Sequence, residues 1–179
     1  ASRFADLLGK TEQARLFDQT AQKIRGNILE YLYKPELGYF VKHLLCLPLG
    51  KEENESQDKK YEVLYDTTVD ISSAYGVYEY GVVDLDDPRL ISTIQKIQKC
   101  LTNHTEAQGI ARYENDYYFR VSQDTPGNPW IITSLWLARS HMRRAKTLED
   151  LQTVYQTLDW VIKYAQESGV LAEQLNPYT

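Results

Sequence analysis

The chain has 179 residues, 42% of them hydrophobic and 25% charged, with a net charge of -5, which suits one soluble globular domain with a core and excludes a disordered chain. No apolar run reaches the roughly 18 to 20 residues of a membrane-spanning helix, and an acidic chain with scattered Lys and Arg does not fit a nucleic-acid partner. Cys46 and Cys100 lie far apart and, with His43, His104 and His141, match no metal spacing, so no metal or other cofactor is expected.

In chain order, residues 1 to 8 read as the tail of a helix, with Phe4, Leu7 and Leu8 on one face and Gly9 as the stop. Thr11 to about Tyr33 carries apolar residues at steps of three and four (Ala14, Phe17, Ala21, Ile24, Ile28, Tyr31, Leu32) and predicts a second helix with one stripe to bury. Pro35-Glu36-Leu37-Gly38 reads as a turn and Tyr39–Val41 as an extended segment. Residues 50 to 60, GKEENESQDKK, read as a solvated loop. Asp66 to Val82 is assigned to a helix on the steps between Ile71, Ala74, Tyr75 and Tyr78, with Asp66, Thr67 or Thr68 as its cap.

Asp87-Pro88 is a strong helix start, and Leu90, Ile94, Ile97 and Leu101 continue it. The same capping role absorbs the Asp84, Asp86 and Asp87 cluster, because acids favour the positive end of a helix. After a loop of rings and charges, Asn128-Pro129 predicts a further cap and a helix from Ile131 to about Arg144. Thr147 to Asp150 resembles a capping box, and a last helix is expected to run to Gly169. The pattern reads as all-α, built of helical hairpins. The chain opens in mid-helix without a cap and stops in a loop, so an excised piece of a longer protein is expected.

Two stretches carry the chemistry. GIARYENDYYFRVSQDTPGNPW, residues 109 to 130, offers an arginine among rings and acids, and SGVLAEQLNPYT offers Glu173 among apolar residues. Fourteen tyrosines, three tryptophans and four phenylalanines exceed the needs of a helical core, and flat rings with charged forks and carboxylates are the usual parts of a sugar site. Arg112 is either a fork for sugar hydroxyls or one half of a surface ion pair with Glu114 or Asp116. Trp130 either anchors the loop in the core or stacks on a sugar. Glu173 is either a solvated acid or a catalytic one tuned by partial burial.

ARYENDYYF followed by GNPW, a helix pair and then SGVLAEQ resembles glycoside hydrolase family 15, the glucoamylase-like enzymes; SRFADLLG, ELGYF and VDISSAYG fall in that family's order too. The resemblance implies part of an (α/α)6 toroid that releases glucose from the non-reducing ends of α-glucans (starch, glycogen, maltooligosaccharides) with inversion. Inversion needs two carboxyl groups about 6.5 to 9.5 Å apart, one donating a proton to the leaving oxygen and one activating water. By resemblance Glu173 is the general base, and Arg112, Tyr117, Tyr118, Trp130 and Gln174 bind substrate. The family's general acid lies on a Trp-Glu-Glu type segment that residues 1–179 do not contain. The chain is therefore expected to be a single partial catalytic domain, truncated at both ends, inactive alone and completed by the remainder of its own domain.

Three rival readings stand beside this one. A non-catalytic glucoamylase-like module, such as the regulatory subunits of phosphorylase kinase carry, would bind glucan or assemble; a same-family trehalase or glucodextranase would share the site. A plain helical interaction protein would leave Arg112, Trp130 and Glu173 pointing in unrelated directions.

Overall fold

The computed structural model describes residues 1–48 and 61–179; the polar stretch 50 to 60 lies outside the described residues. Helix α1 spans Ser2–Leu7 and α2 spans Thr11–Asn27, with Gly9 at φ 68° between them. α2 continues as a π-helical turn over Ile28–Leu32 before the chain extends at Tyr33. The expected stripe exists but is largely uncovered: Phe17, Ile24 and Tyr31 are 42%, 55% and 42% exposed, and Phe4, Leu7 and Leu8 are exposed as well.

The turn at 35–38 joins β1 (Tyr33–Lys34) to β2 (Tyr39–Phe40), with Gly38 at φ 76°, in the left-handed region that glycine enters without steric cost. β3 (His43–Pro48) and β4 (Tyr61–Asp66) then form an antiparallel ladder from His43↔Asp66 to Pro48↔Tyr61. This ladder corrects the all-α reading: the fold is mainly helical but carries two two-stranded sheets. It also corrects the helix assigned from Asp66. Residues 61–66 are aromatic and β-branched and find a partner strand, so helix α3 begins only at Ile71 and ends at Glu79. Its cap is Asp70, whose Oδ1 accepts from the Ser72 N–H at 2.8 Å, while Asp66 turns its carboxylate to the Thr68 N–H.

Helix α4 spans Pro88–Leu101 as its sequence predicts, and Asp87 caps it by accepting from the Arg89 N–H at 2.8 Å. Leu90, Ile94, Ile97 and Leu101 are 2% exposed or less and form the centre of the core with Phe40, Val41, Ile71, Ala74 and Tyr78. Helix α5 spans Ile131–Arg144 and packs against α3 and α6. The Thr147–Asp150 box forms, the Asp150 carboxylate accepting from the Thr147 N–H and the Thr147 hydroxyl from the Asp150 N–H. A 3-10 turn at Glu149–Leu151 leads into α6, Gln152–Lys163. α6 stops short of the expected Gly169, which lies instead in a separate turn closed by the Gln166 N–H on Val170 O. Among the described residues no helix is long and apolar enough to cross a membrane.

The segments between helices are tied side by side by single β-bridges: Thr102↔Ile110, Ile110↔Trp130 and Trp130↔Gln174, with Asp70↔Tyr113 nearby. These bridges bring residues that are far apart in sequence to one end of α3 and α5. Gly109 is the tight point. It sits at φ 81°, and a Cβ there would lie 2.7 Å from the Trp160 ring and 2.8 Å from Pro129. Gly109→Ala is therefore expected to cost about 2–5 kcal/mol of stability, from left-handed strain plus overpacking. Urea denaturation measures it, and a loss under about 1 kcal/mol would show that Trp160 gives way.

Candidate active site

The site begins with the backbone of Arg112. Its carbonyl accepts from the Ile71 N–H at 3.0 Å, fixing the residue at the start of α3. Its side chain forks onto Asp116, Nε to Oδ2 at 2.7 Å and Nη2 to Oδ1 at 2.9 Å. Of the two acids four or fewer residues away, Asp116 is the partner; Glu114 accepts from the Val69 N–H instead. The Arg112 guanidinium lies 4.0 Å from the Trp130 ring centroid and 5.1 and 5.3 Å from those of Tyr118 and Tyr113. The clamp commits Nε and one Nη2 hydrogen to Asp116 and one face to Trp130; among the described residues Nη1 has no hydrogen-bond partner.

Asp116 is 1% exposed. Burial pushes its carboxyl upward, but hydrogen bonds from the Arg112 fork and the Tyr118 N–H, with the Arg112 charge, hold it below the ordinary value. The hydrogen-bonded Asp116 carboxylate raises Arg112 above its own ordinary value; burial opposes this, and the Asp116, Tyr113 and Glu173 charges add to it. Gly127 makes room for the pair, because a Cβ there would meet the Asp116 Cβ at 2.8 Å.

Trp130 is buried at 3% exposure, with its ring under Arg112 and 6.0 Å from the Tyr118 ring. Tyr118 is 43% exposed and meets Phe119 edge-on at 4.8 Å. Tyr117 is 80% exposed, and among the described residues it joins none of these ring contacts.

Glu173 and Gln174 run antiparallel to Pro129–Ile131. The Ile131 N–H donates to Glu173 O at 3.3 Å and the Leu175 N–H to Pro129 O at 2.8 Å, around the Trp130↔Gln174 bridge. The Glu173 side chain is exposed, so of the two readings of its surroundings partial burial is not what the structure has: its apolar neighbours Val170 and Leu171 are themselves 58% and 41% exposed and enclose nothing. The Gln174 side chain, by contrast, is held. Its Oε1 accepts from Asn128 Nδ2 at 2.9 Å.

Asn128 is the residue that sequence reasoning misplaced. It does not cap α5; Trp130 occupies that position without a side-chain cap. Its side chain, 4% exposed, donates to Phe119 O and Gln174 Oε1 and accepts from the Val121 N–H at 3.1 Å. One amide thus joins the aromatic loop to the Glu173 segment. Phe119 holds φ at 50°, a left-handed conformation rare for a bulky residue, and the amide bond to its carbonyl helps to hold it there. Asn128→Ala is expected to cost about 1–3 kcal/mol, from buried groups left unpaired. Chemical denaturation checks it; a neutral result would mean that water replaces the amide.

Arg112, Trp130 and Tyr118 therefore converge, and the backbone of Glu173 and Gln174 is bridged beside them.

Known proteins resemble this chain in sequence and in fold. The chain is 34% identical to an uncharacterized glycosyl hydrolase of Methanocaldococcus jannaschii, over 76% of the chain and 22% of the relative. Among solved structures it is similar to a bacterial glucoamylase complexed with acarbose, at TM-score 0.72 and 18% identity over 99% of the chain and 27% of that structure. It is also similar to a glycosidase variant in complex with glucose, at TM-score 0.63 and 21% identity over 90% and 34%. These two likenesses show the fold, which is glucoamylase-like. The chain spans about a fifth of the length of the curated relative and about a third or less of the solved structures. The sequence model of the Glycosyl hydrolases family 15 matches residues 1–179, and the chain belongs to that family.

Proposed function

We propose that these residues form the general-base side of the active site of an inverting, exo-acting glycoside hydrolase that releases glucose from the non-reducing ends of α-glucans. The observation that carries this reading is the clamp of Arg112 by Asp116 over Trp130, within electrostatic reach of Glu173 on a segment bridged to the same tryptophan. In the proposed mechanism the outward N–H groups of Arg112 hold two hydroxyls of one glucose unit. Tyr118, with the more exposed Tyr117, covers an apolar face of the ring, while Trp130 acts from below by fixing the guanidinium. Gln174 orients the segment through Asn128. Glu173, exposed and free to meet water, takes a proton from the water that attacks the anomeric carbon.

The general acid comes from outside residues 1–179, which form one part of a catalytic domain. Two observations support this: the chain covers only a fraction of its relatives, and the apolar stripe of α1 and α2 is uncovered. The remaining helices of an (α/α)6 toroid would bury that stripe.

Hydrolysis of maltose and maltotetraose by the full-length protein, followed by NMR, tests the reading. Release of β-glucose as the first product is expected. α-Glucose would overturn inversion, activity only on trehalose or dextran would move the substrate within the family, and glucan binding without turnover would favour a regulatory module.

A further inference from the structure

A groove of about 480 Å³ lies between the chain leaving α4, the Gly109–Ile110 segment, α5 and α6, and shares no lining residue with the Arg112 cluster. That size falls within the range of small-molecule sites. In a chain that is 25% charged, no Asp, Glu, Lys or Arg lines it, and His104 is its one titratable side chain. With no carboxylate, ammonium or guanidinium to pair with a ligand charge, and with amides and hydroxyls along its wall, the groove suits a neutral ligand that forms hydrogen bonds.

The lining supplies those bonds from Asn103, Thr105, Gln108, Gln156 and Thr157, with Trp160 as a wall. Trp160 is held in place: its Nε1–H donates to Ala107 O at 2.6 Å, and its ring edge packs where Gly109 lacks a Cβ. With the N–H committed, the rest of the half-buried ring is left for contact with an apolar face. Asn103 is the informative residue. It is 2% exposed, its N–H is fixed to Gly109 O at 2.9 Å, yet neither its Oδ1 nor its Nδ2 has a partner. Thr105 Oγ1 is buried without one as well. Buried amides and hydroxyls are nearly always partnered, and these two unpartnered side chains, two residues apart, both line the one groove.

We propose that this groove is a second saccharide site, which holds one neutral pyranose against Trp160 through Gln156, Thr157 and the Asn103–Thr105 floor. It is separate from the hydrolytic site and does not depend on the role of Glu173. A site there would hold a glucan chain on the protein while its end is processed elsewhere.

The test follows the indole N–H signals of the full-length protein labelled with ¹⁵N-tryptophan, in the Arg112→Ala variant, during titration with maltose. Trp160→Phe identifies the signal. A saturable shift of Trp160 that survives Arg112→Ala, and weakens about tenfold or more in the Gln156→Ala/Thr157→Val double variant, is the expected result. Both substituted side chains lie on α6, away from the core, so the double variant is expected to fold. An unmoved Trp160 signal, one that responds equally to glycerol, or one that shifts in the native protein and not in Arg112→Ala would each overturn the proposal. Absence of hydrolysis would leave the result unaffected.

Discussion

Glu173→Gln is expected to lower kcat of the full-length protein by at least about 10²-fold, with KM changed much less. Glutamine keeps the shape of the side chain and removes its ability to take a proton from water. The fold should be indifferent to the change. The side chain is exposed, and the structural use of this residue is its backbone carbonyl, which receives the Ile131 N–H whatever side chain is present. Circular dichroism and the denaturation midpoint should match the native protein within error. A variant that retains more than a tenth of kcat would remove Glu173 from the role of base. A variant that loses activity together with stability would show that the side chain has a structural partner beyond residues 1–179.

The legible and illegible parts of the sequence differ in how local their causes are. α4 was readable because everything that starts it lies within three residues: Asp87 caps, Pro88 presets the backbone, and the apolar steps follow at once. The Thr147–Asp150 box was readable for the same reason. The β3–β4 ladder was not. Leu44-Leu45-Cys46-Leu47 is a continuous apolar run without the alternation of a half-buried strand, and its partner lies well along the chain. The steps from Ile71 to Tyr78 do form α3, and only the start assigned at Asp66 yields to the pairing.

The site divides along the same line. Arg112 and Asp116 are four residues apart, so their pairing was one of two options on the page. Asn128 before a proline matched a helix start, and the local rule gave way to a partner 46 residues later, Gln174. Trp130 was balanced between core and sugar contact. Its place under Arg112 depends on bridges to Ile110 and Gln174 at once, which no local pattern encodes. The orphaned amide of Asn103 is likewise a property of packing and not of its neighbours in sequence.

Asp116→Ala is expected to damage catalysis and stability through one cause. Without the carboxylate, the Arg112 fork loses both of its short hydrogen bonds and is free to leave the Trp130 face. Removing one partner of a buried pair costs up to about 3–5 kcal/mol, but Arg112 is about a third exposed, so screening reduces the expected loss to about 1–3 kcal/mol. Misplacing a positioning group by about 1 Å can cost about 10²-fold in rate, and kcat/KM should fall on that order. Asp116→Asn, which keeps the shape and one acceptor oxygen, should recover part of the loss. It also isolates the charge. The Asp116 carboxyl is held below its ordinary value when folded, so it contributes stability that is complete above about pH 4 and is lost as pH falls from there through the folded value. Asp66, Asp87 and Asp150 are shifted in the same direction and continue to act in the variant. The gap in unfolding free energy between native protein and Asp116→Asn should therefore be widest near neutral pH and narrow in acid. A gap that does not depend on pH would mean that Asp116 holds the loop by its shape and by the Tyr118 N–H, and that the clamp on Arg112 is incidental.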